Sequence, residues 1–310
     1  MKPVVAVVGG FLGAGKTTLI LAAARILQQR GTRVAVVLND QAGDLVDTRL
    51  VETHAVPADQ VTGGCFCCRF PDLLDALARL DAHAPEVIFA EAVGSCTDIA
   101  ATTLRPLLRD YPDRYRVAPL TAVVHARPQN DDLQFLYDHQ VAEADVVFHR
   151  GDDPAAWLAQ ILGGASPATH SLKLDYTRYA EAEAALAWLN ARVAVRANPP
   201  ISPAMLVGPL LDRLATTVPD IVHLKLFTQC NSGYLKAALT ANHQDPQVEG
   251  ALDASPARDH EILLNIRALA DPAELRAIVT REFAQLPAAL SWHEVQSFRP
   301  SPPVPYLRLP

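Results

Sequence analysis

One glycine-rich loop restricts the fold of this chain more than any other segment. Residues Gly10 to Thr17 read GFLGAGKT, which satisfies the pattern G-x-x-x-x-G-K-[ST] in full. The apolar, β-branched run Val4–Val8 precedes the loop, and the spacing of apolar residues over Thr17–Arg30 predicts a helix after it. A buried strand, a glycine loop and a helix in this order predict an α/β fold in which the loop binds phosphates.

The residue types of this loop indicate what it binds. Glycines let backbone N–H groups approach phosphate oxygens, and the helix N-terminus adds a partial positive charge. We expect Lys16 to reach the β- and γ-phosphates and the Thr17 hydroxyl to ligate Mg²⁺. The sequence therefore predicts a P-loop site for Mg²⁺ and a nucleoside triphosphate. Its predicted phosphate-binding residues are Gly10, Gly13, Ala14, Gly15, Lys16, Thr17 and Thr18.

Two carboxylates follow predicted buried strands. Asp40 comes after the run ending at Leu38, and Glu91 comes directly after the run ending at Ala90. Because ligands bind beyond the carboxyl ends of parallel strands, we expect both carboxylates near the metal, with Asp44 and Asp47 as alternatives to Asp40. The predicted catalytic residues are Lys16, Asp40 and Glu91, and the predicted magnesium-binding residues are Thr17, Asp40 and Glu91.

The pattern of elements predicts two domains. Strand and helix patterns alternate through the first half of the chain, which favours a mostly parallel sheet with crossover helices. A last strand is expected at Thr169–Leu174 and a helix at Tyr179–Ala191. Asn198-Pro199-Pro200 is the predicted boundary, since prolines disfavour helix and mark exposed connections. We therefore expect a P-loop domain over 1–197 and a smaller α+β domain over 201–310.

Composition excludes several classes of function. Lys plus Arg number 27 and Asp plus Glu number 34, so the net charge is −7. Without a long basic run, such a chain is a poor candidate for binding nucleic acid or an anionic membrane. No apolar run reaches the ~18 residues of a transmembrane helix. The apolar start runs into Gly9-Gly10 without a cleavage site for a signal peptide, so we expect a cytoplasmic protein.

Three cysteines stand within four residues, at Cys65, Cys67 and Cys68. Thiolates are soft ligands for Zn²⁺ and related ions, and this clustering predicts a metal site. A tetrahedral site needs a fourth ligand, for which water, His54 and Asp72 are candidates. An incomplete cage of this kind suits metal transfer. A redox pair and three small buried hydrophobic residues are the alternatives.

The loop and the thiol motif together resemble the CobW-type metallochaperone GTPases, relatives of the urease- and hydrogenase-maturation GTPases. The segments that carry the resemblance are Gly9–Thr18 and Gly64–Cys68, with looser matches at Asn39-Asp40-Gln41 and Glu91-Ala92-Val93-Gly94. The resemblance implies GTP hydrolysis coupled to delivery of zinc or cobalt to a client metalloprotein. It implies that the three cysteines hold the cargo metal, that Asp40 lies in a switch region and that Glu91 has the Walker-B role.

One segment departs from the family pattern. The family reads guanine with Asn-Lys-x-Asp, whereas this chain has His149-Arg150-Gly151-Asp152-Asp153. Asp152 or Asp153 would still accept hydrogen bonds from the guanine edge. Loss of a paired buried group costs about 1–3 kcal/mol, so we expect GTP to be preferred less strongly and ATP to remain possible.

Hydrolysis is expected to be slow, because the sequence offers no catalytic glutamine or arginine finger. Two further functions fit the same motifs: a nucleotide-binding metal buffer or sensor, and a diverged ATPase with little hydrolysis. A homodimer is also compatible with the resemblance.

Overall fold

The computed structural model describes residues 2–43, 46–168, 170 and 172–309. Within them the chain forms two compact units. The first unit comprises residues up to 43, residues 47–183 and the C-terminal residues from 301 onward. The second unit comprises residues 184–300 together with Val46.

Strands and helices alternate through the first unit. Its strands are β1 (Val4–Gly10), β2 (Val34–Asn39), β3 (Ala58–Val61), β4 (Val87–Glu91), β5 (Arg116–Val117), β6 (Thr121–Val124) and β7 (Val146–His149). Its helices are α1 (Lys16–Gln29), α2 (Val46–Thr53), α3 (Phe70–Leu80), α4 (Arg105–Asp110), α5 (Asp131–Glu143), α6 (Pro154–Leu162) and α7 (Tyr176–Ala184). A π-helical turn, Ala100–Leu104, precedes α4.

The sheet of the first unit has the order β3-β2-β4-β1-β6-β7, with β5 beside β1, and its strand pairs are parallel. Every residue of β1, β2 and β4 is buried, as expected for strands covered on both faces. The predicted α/β fold is confirmed.

The register of three central strands determines where the functional loops meet. Val8 of β1 and Leu38 of β2 both pair with Glu91, the last residue of β4. Because these strands are parallel, the loop after β1, the end of β2 and the end of β4 lie at one edge of the sheet. The site is built at this edge.

The second unit is a separate antiparallel structure. Its strands are β8 (Ala187–Ile201), β9 (Ile221–Cys230), β10 (Gly233–Leu239), β11 (Gln247–Gly250), β12 (Ala257–Ala268) and β13 (Ala288–Phe298), and its helices are α8 (Pro203–Thr217) and α9 (Pro272–Phe283). The sheet order is β11-β10-β9-β12-β8-β13. Apolar residues of both helices and of the sheet form its core. The predicted smaller α+β domain is confirmed.

The predicted domain boundary does not match the structure. The first unit ends at residue 183 instead of 197, and the C-terminal residues from 301 onward belong to the first unit instead of the second. Asn198-Pro199-Pro200 lies inside β8, between Ala197 and Ile201, the nearest residues with ladder partners. Prolines are tolerated at these positions because residues 198–200 have no partners in the neighbouring strands, so no ladder hydrogen bond is lost.

Two predicted elements also differ. The helix expected over Tyr179–Ala191 ends at Ala184, and the strand β8 begins at Ala187. Of the strand expected at Thr169–Leu174, Thr169 and Ser171 lie outside the described residues, and the others have no regular structure.

No helix in the described part of the chain is long and apolar enough to cross a membrane.

Candidate functional site

The loop between β1 and α1 has the backbone shape of a phosphate cradle. Gly10, Gly13 and Gly15 have φ angles of 123°, 73° and 103°, in the range that side chains disfavour. A Cβ atom at Gly10 would lie 2.2 Å from the Val123 carbonyl oxygen. Position 10 therefore requires glycine, because a side chain would be strained at this φ angle and would clash with the backbone of β6.

Lys16 folds over this loop. Its Nζ atom donates to the carbonyl oxygens of Gly10, at 2.9 Å, and of Phe11, at 3.3 Å, and the residue is only 7% exposed. The ammonium group is thus held inside the loop, where the sequence predicts phosphate oxygens.

The hydroxyl of Thr17 brings two carboxylates together. Its Oγ1 atom lies 3.0 Å from Asp47 Oδ1 and 3.1 Å from Glu91 Oε1. A hydroxyl and two carboxylates are hard oxygen ligands of the kind that Mg²⁺ prefers, so these residues fit a magnesium ion. Glu91 lies where the sequence predicts it.

The second carboxylate at Thr17 comes from Asp47, near the start of α2. Asp40, which the sequence favoured, follows β2 and accepts a hydrogen bond from the Gln41 amide at 2.6 Å. Asp44 lies outside the described residues. The strand-end rule favours Asp40 and leaves Asp47 as an alternative, because Asp47 reaches Thr17 from a helix.

The loop after β4 packs directly on the phosphate loop. A Cβ atom at Gly94 would lie 2.7 Å from Leu12 Cδ2 and 3.0 Å from the Leu12 backbone nitrogen. A movement of the phosphate loop would therefore displace the segment that follows Glu91, because the two segments are in contact.

A pocket beside the loop has the position expected for a nucleotide base. Residues that line it include Gly15, Thr18, Phe148, Arg150, Asp152 and Pro154. Asp152 and Asp153, the two candidates for binding the guanine edge, have different positions relative to this pocket. Asp153 caps α6, accepting from the Ala155 amide at 2.9 Å and the Ala156 amide at 3.3 Å, whereas Asp152 lines the pocket.

The three clustered cysteines lie in the loop between β3 and α3. Their sulfurs are all within 4.8 Å of one another, and among the described residues they form a group that could hold a metal ion. Cys65 and Cys67 are joined as a disulfide, and the Cys68 sulfur lies 3.5 Å and 3.6 Å from theirs. The amides of Cys68 and Arg69 both donate to the Cys65 carbonyl, which closes a tight turn.

The environment of the free thiols differs. Burial raises the pKa of the Cys68 thiol, an effect opposed by a hydrogen bond from the Val304 amide. Cys96 is fully buried, and burial raises the pKa of its thiol further than that of Cys68.

Asn39, at the end of β2, holds the cysteine loop in place. Its Nδ2 atom donates to the carbonyl oxygens of Val61, at 2.9 Å, and Gly64, at 2.8 Å, and its Oδ1 atom accepts from the Phe66 amide at 2.9 Å. The sequence offered Asn39 only as part of a loose motif. Its buried position between a strand end and the thiol loop makes it a structural link between the two.

Comparisons with known proteins agree with this geometry. Residues 4–154 match the model of the CobW/HypB/UreG nucleotide-binding domain. This part of the chain is a CobW/HypB/UreG nucleotide-binding domain. A stretch of 107 residues is 37% identical to the zinc chaperone YjiA of Escherichia coli (strain K12), covering 32% of this chain and 32% of that protein. The chain thus matches about a third of the length of this curated relative.

Solved structures similar to this chain include YjiA and HypB. A zinc-bound triple mutant of the YjiA GTPase is 18% identical, with a TM-score of 0.36, covering 91% of this chain and 99% of that one. HypB from Helicobacter pylori in complex with nickel is 18% identical, with a TM-score of 0.35, covering 53% and 76%.

The fourth metal ligand of this CobW-type domain is not supplied by the side chains that the sequence suggested. Neither His54 nor Asp72 belongs to the described group of three sulfurs. The His54 ring bonds to the Leu50 carbonyl through Nδ1, at 2.8 Å, and Asp72 pairs with Arg69. Of the three candidates for a fourth ligand, water remains.

We expect Asn39→Ala to loosen the thiol loop. The substitution removes three hydrogen bonds and leaves buried backbone groups of Gly64 and Phe66 without this partner, which should lower the free energy of unfolding by about 2–4 kcal/mol. Urea unfolding of the reduced protein measures the loss. Asn39→Asp, which keeps the acceptor and removes both donors, should cost a similar amount, and a cost below about 0.5 kcal/mol would contradict the role of Asn39.

Proposed function

We propose that the protein is a GTPase that couples Mg²⁺-dependent hydrolysis of GTP to the binding and delivery of a transition metal, zinc or cobalt, held by Cys65, Cys67 and Cys68. One observation carries the proposal. The side chain of Asn39 ties the thiol loop to the end of β2, and β2 pairs with β4 at Glu91, which contacts the phosphate-loop Thr17. The nucleotide and metal sites therefore share one edge of the sheet.

The phosphate loop supports the hydrolytic half of the proposal. Water attacks the γ-phosphorus in line with the bond to the β-phosphate oxygen, and that bond breaks to give GDP and phosphate. Lys16 and the loop amides stabilise the charge that develops on the phosphate oxygens. Thr17, Asp47 and Glu91 would hold Mg²⁺, which would supply positive charge to the triphosphate. Asp40 stays a predicted switch residue beside this site.

The pocket beside the loop supports recognition of guanine. Asp152 offers a carboxylate to the N1–H and N2 amino group of the base, while the Arg150 side chain supplies a planar group in place of the usual lysine stem. Because His149 does not reproduce the amide of an asparagine, we expect GTP to bind more tightly than ATP by only about tenfold.

The thiol cluster supports metal cargo. Three sulfurs with no fourth protein ligand in the described group leave a coordination position through which the metal can pass to a client metalloprotein. YjiA is described as a zinc chaperone, and HypB binds nickel in its solved complex. Zinc or cobalt is our proposed cargo, and the reducing cytoplasm, which keeps the thiols free, is the proposed location.

Titration of GTP and of ATP into the Mg²⁺-loaded, reduced protein, with and without one equivalent of Zn²⁺, tests the proposal. Zinc should change the dissociation constant of GTP by about tenfold, because the two sites share strands β2 and β4. Reciprocity requires GTP to change zinc affinity by the same factor, which a competition assay with a chelator measures.

A preference for ATP, or nucleotide binding that is indifferent to zinc, would contradict the coupled GTPase and favour a diverged ATPase. Tight zinc binding with negligible hydrolysis would favour a metal buffer or sensor. The Cys65–Cys67 pair favours one further function, a thiol redox switch. Reversible oxidation of this pair without any metal binding by the reduced protein would support it.

A further inference from the structure

The segment between β4 and the helical residues that begin at Ile99 is irregular and buried. Residues 92–98 form neither helix nor strand, and every one of them is buried. Backbone N–H and C=O groups in such a segment need hydrogen-bond partners, because neither a helix nor a sheet supplies them. We call residues 92–98 the post-β4 segment. Several of its partners are side chains of the helix α5.

Gln140 of α5 holds the turn at the start of this segment. Its Nε2 atom donates to the carbonyl oxygens of Gly94, at 2.9 Å, and of Cys96, at 3.0 Å, and the residue is only 3% exposed. The Oε1 atom of Gln140 is buried and has no hydrogen-bond partner in the described part of the chain. The two donors are therefore the polar groups through which Gln140 acts, and both are used on one turn.

Glu143, three residues further along α5, holds the end of the segment. Its carboxyl oxygens accept from the Thr97 hydroxyl, at 3.2 Å, and from the Ala100 amide, at 3.1 Å, and the residue is only 1% exposed. Residues three apart lie on the same face of a helix. One face of α5 therefore fixes both ends of the post-β4 segment.

The post-β4 segment is in turn attached to the phosphate loop. Glu91, the last residue of β4, contacts the Thr17 hydroxyl at 3.1 Å. Three residues later, Gly94 packs so closely on Leu12 that a Cβ atom would lie 3.0 Å from the Leu12 backbone nitrogen. The turn that Gln140 holds is thus wedged against the phosphate loop, next to the carboxylate that meets Thr17.

Resting on the proposed function, we propose that Gln140 is a positioning residue for hydrolysis: it holds Gly94 against the phosphate loop and thereby keeps the Glu91 carboxylate in place at Thr17. Glu143 assists by fixing the other end of the segment. Misplacement of a reacting site by about 1 Å costs up to about a hundredfold in rate, even when the substituted residue lies away from the chemistry. Gln140 acts in this way, through the backbone of the post-β4 segment.

Gln140→Leu tests this role in the full-length, reduced protein, because leucine fills a similar volume and removes both donors. We expect kcat for GTP to fall about thirtyfold with KM changed by less than about twofold, since the loss falls on alignment and not on nucleotide binding. Mn²⁺ prefers the same oxygen ligands as Mg²⁺. Its affinity for the GDP complex, measured by electron paramagnetic resonance, should fall about tenfold, which is a readout independent of hydrolysis.

Gln134→Leu is the matched control, because Gln134 lies on the same helix and also donates through Nε2 to a backbone carbonyl, that of Gln129 at 3.1 Å. It should leave both readouts unchanged. Combination with Glu91→Gln separates positioning from a general loss of structure. In the Glu91→Gln background, Gln140→Leu should lower Mn²⁺ affinity no further, whereas equal losses in both backgrounds would contradict an action through Glu91.

The outcomes separate this inference from the proposed function. If Glu91→Gln leaves Mn²⁺ affinity at the parental value, the proposed magnesium site itself is wrong. If Glu91→Gln lowers the affinity but Gln140→Leu behaves as Gln134→Leu does, the positioning role is overturned while the metal site stands. Should Gln140→Leu fail to fold, Thr97→Val decides the question with the same two measurements, because it removes the hydroxyl bonded to Glu143 and keeps the shape of the side chain.

Discussion

Replacement of Lys16 by alanine should reduce GTP hydrolysis by about a thousandfold, the range measured when a single group that stabilises developing charge is removed. The Nζ atom already lies within the phosphate loop, bonded to the carbonyls of Gly10 and Phe11. In the complex it exchanges these neutral acceptors for phosphate oxygens, and no other lysine of the motif can take its place. Phosphate release under single-turnover conditions measures the loss.

The control for this variant is Lys2→Ala. Lys2 bonds to the exposed Pro112 carbonyl and pairs with Asp113, and its loss should leave hydrolysis unchanged. Thermal unfolding of both variants measures whether each folds as the parent does. Hydrolysis at the parental rate by a folded Lys16→Ala protein would refute the assignment of this loop as the hydrolytic site.

The sequence predicted the parallel sheet and the position of Glu91 because both follow from local patterns. Buried strands appear as β-branched runs, and a carboxylate at the end of such a run must lie at the binding edge of the sheet. The same rule favoured Asp40 and left Asp47 as an alternative. Asp47 belongs to α2, a helix of only 8 residues, and reaches Thr17 through tertiary structure.

Other features leave almost no trace in the sequence. The C-terminal end of the chain contacts the thiol loop through the Tyr306 amide, which donates to the Cys67 carbonyl, and a backbone amide looks the same at every position except proline. The proline-rich end of the chain was therefore assigned to the second domain. The apolar residues Leu186–Leu189 fit a helix and a buried strand equally well, which explains why the helix was predicted past Ala184.

The proposed link between nucleotide and metal depends on short, direct connections. Glu91 pairs with Leu38, and the next residue after Leu38 is Asn39, whose amide group holds the thiol loop. A shift of the end of β4 by even a fraction of an ångström would reach the cysteines through one strand pair. Packed elements respond to such shifts by moving between discrete arrangements. Coupling of about tenfold needs only about 1.4 kcal/mol between them.

Substitution of any one of the three clustered cysteines by serine should lower zinc affinity by at least about a hundredfold. Loss of an outer partner of a metal ligand already costs about 10–100-fold, and a thiolate contributes more than its partners do. Competition with a chelator under reducing conditions measures the affinity of Cys65→Ser, Cys67→Ser and Cys68→Ser. GTP binding by these variants should be retained but should no longer respond to zinc.

Cys230→Ser is the matched control for these variants. Cys230 is a free thiol of the second unit, 3.0 Å from the Ser232 hydroxyl, and is not part of the sulfur group. Its loss should change neither zinc affinity nor the zinc response of GTP binding. If zinc affinity instead falls only in Cys230→Ser, the metal lies in the second unit, and the thiol loop is left with the redox function. If all four variants bind zinc as the parent does, the cargo site is built from other ligands.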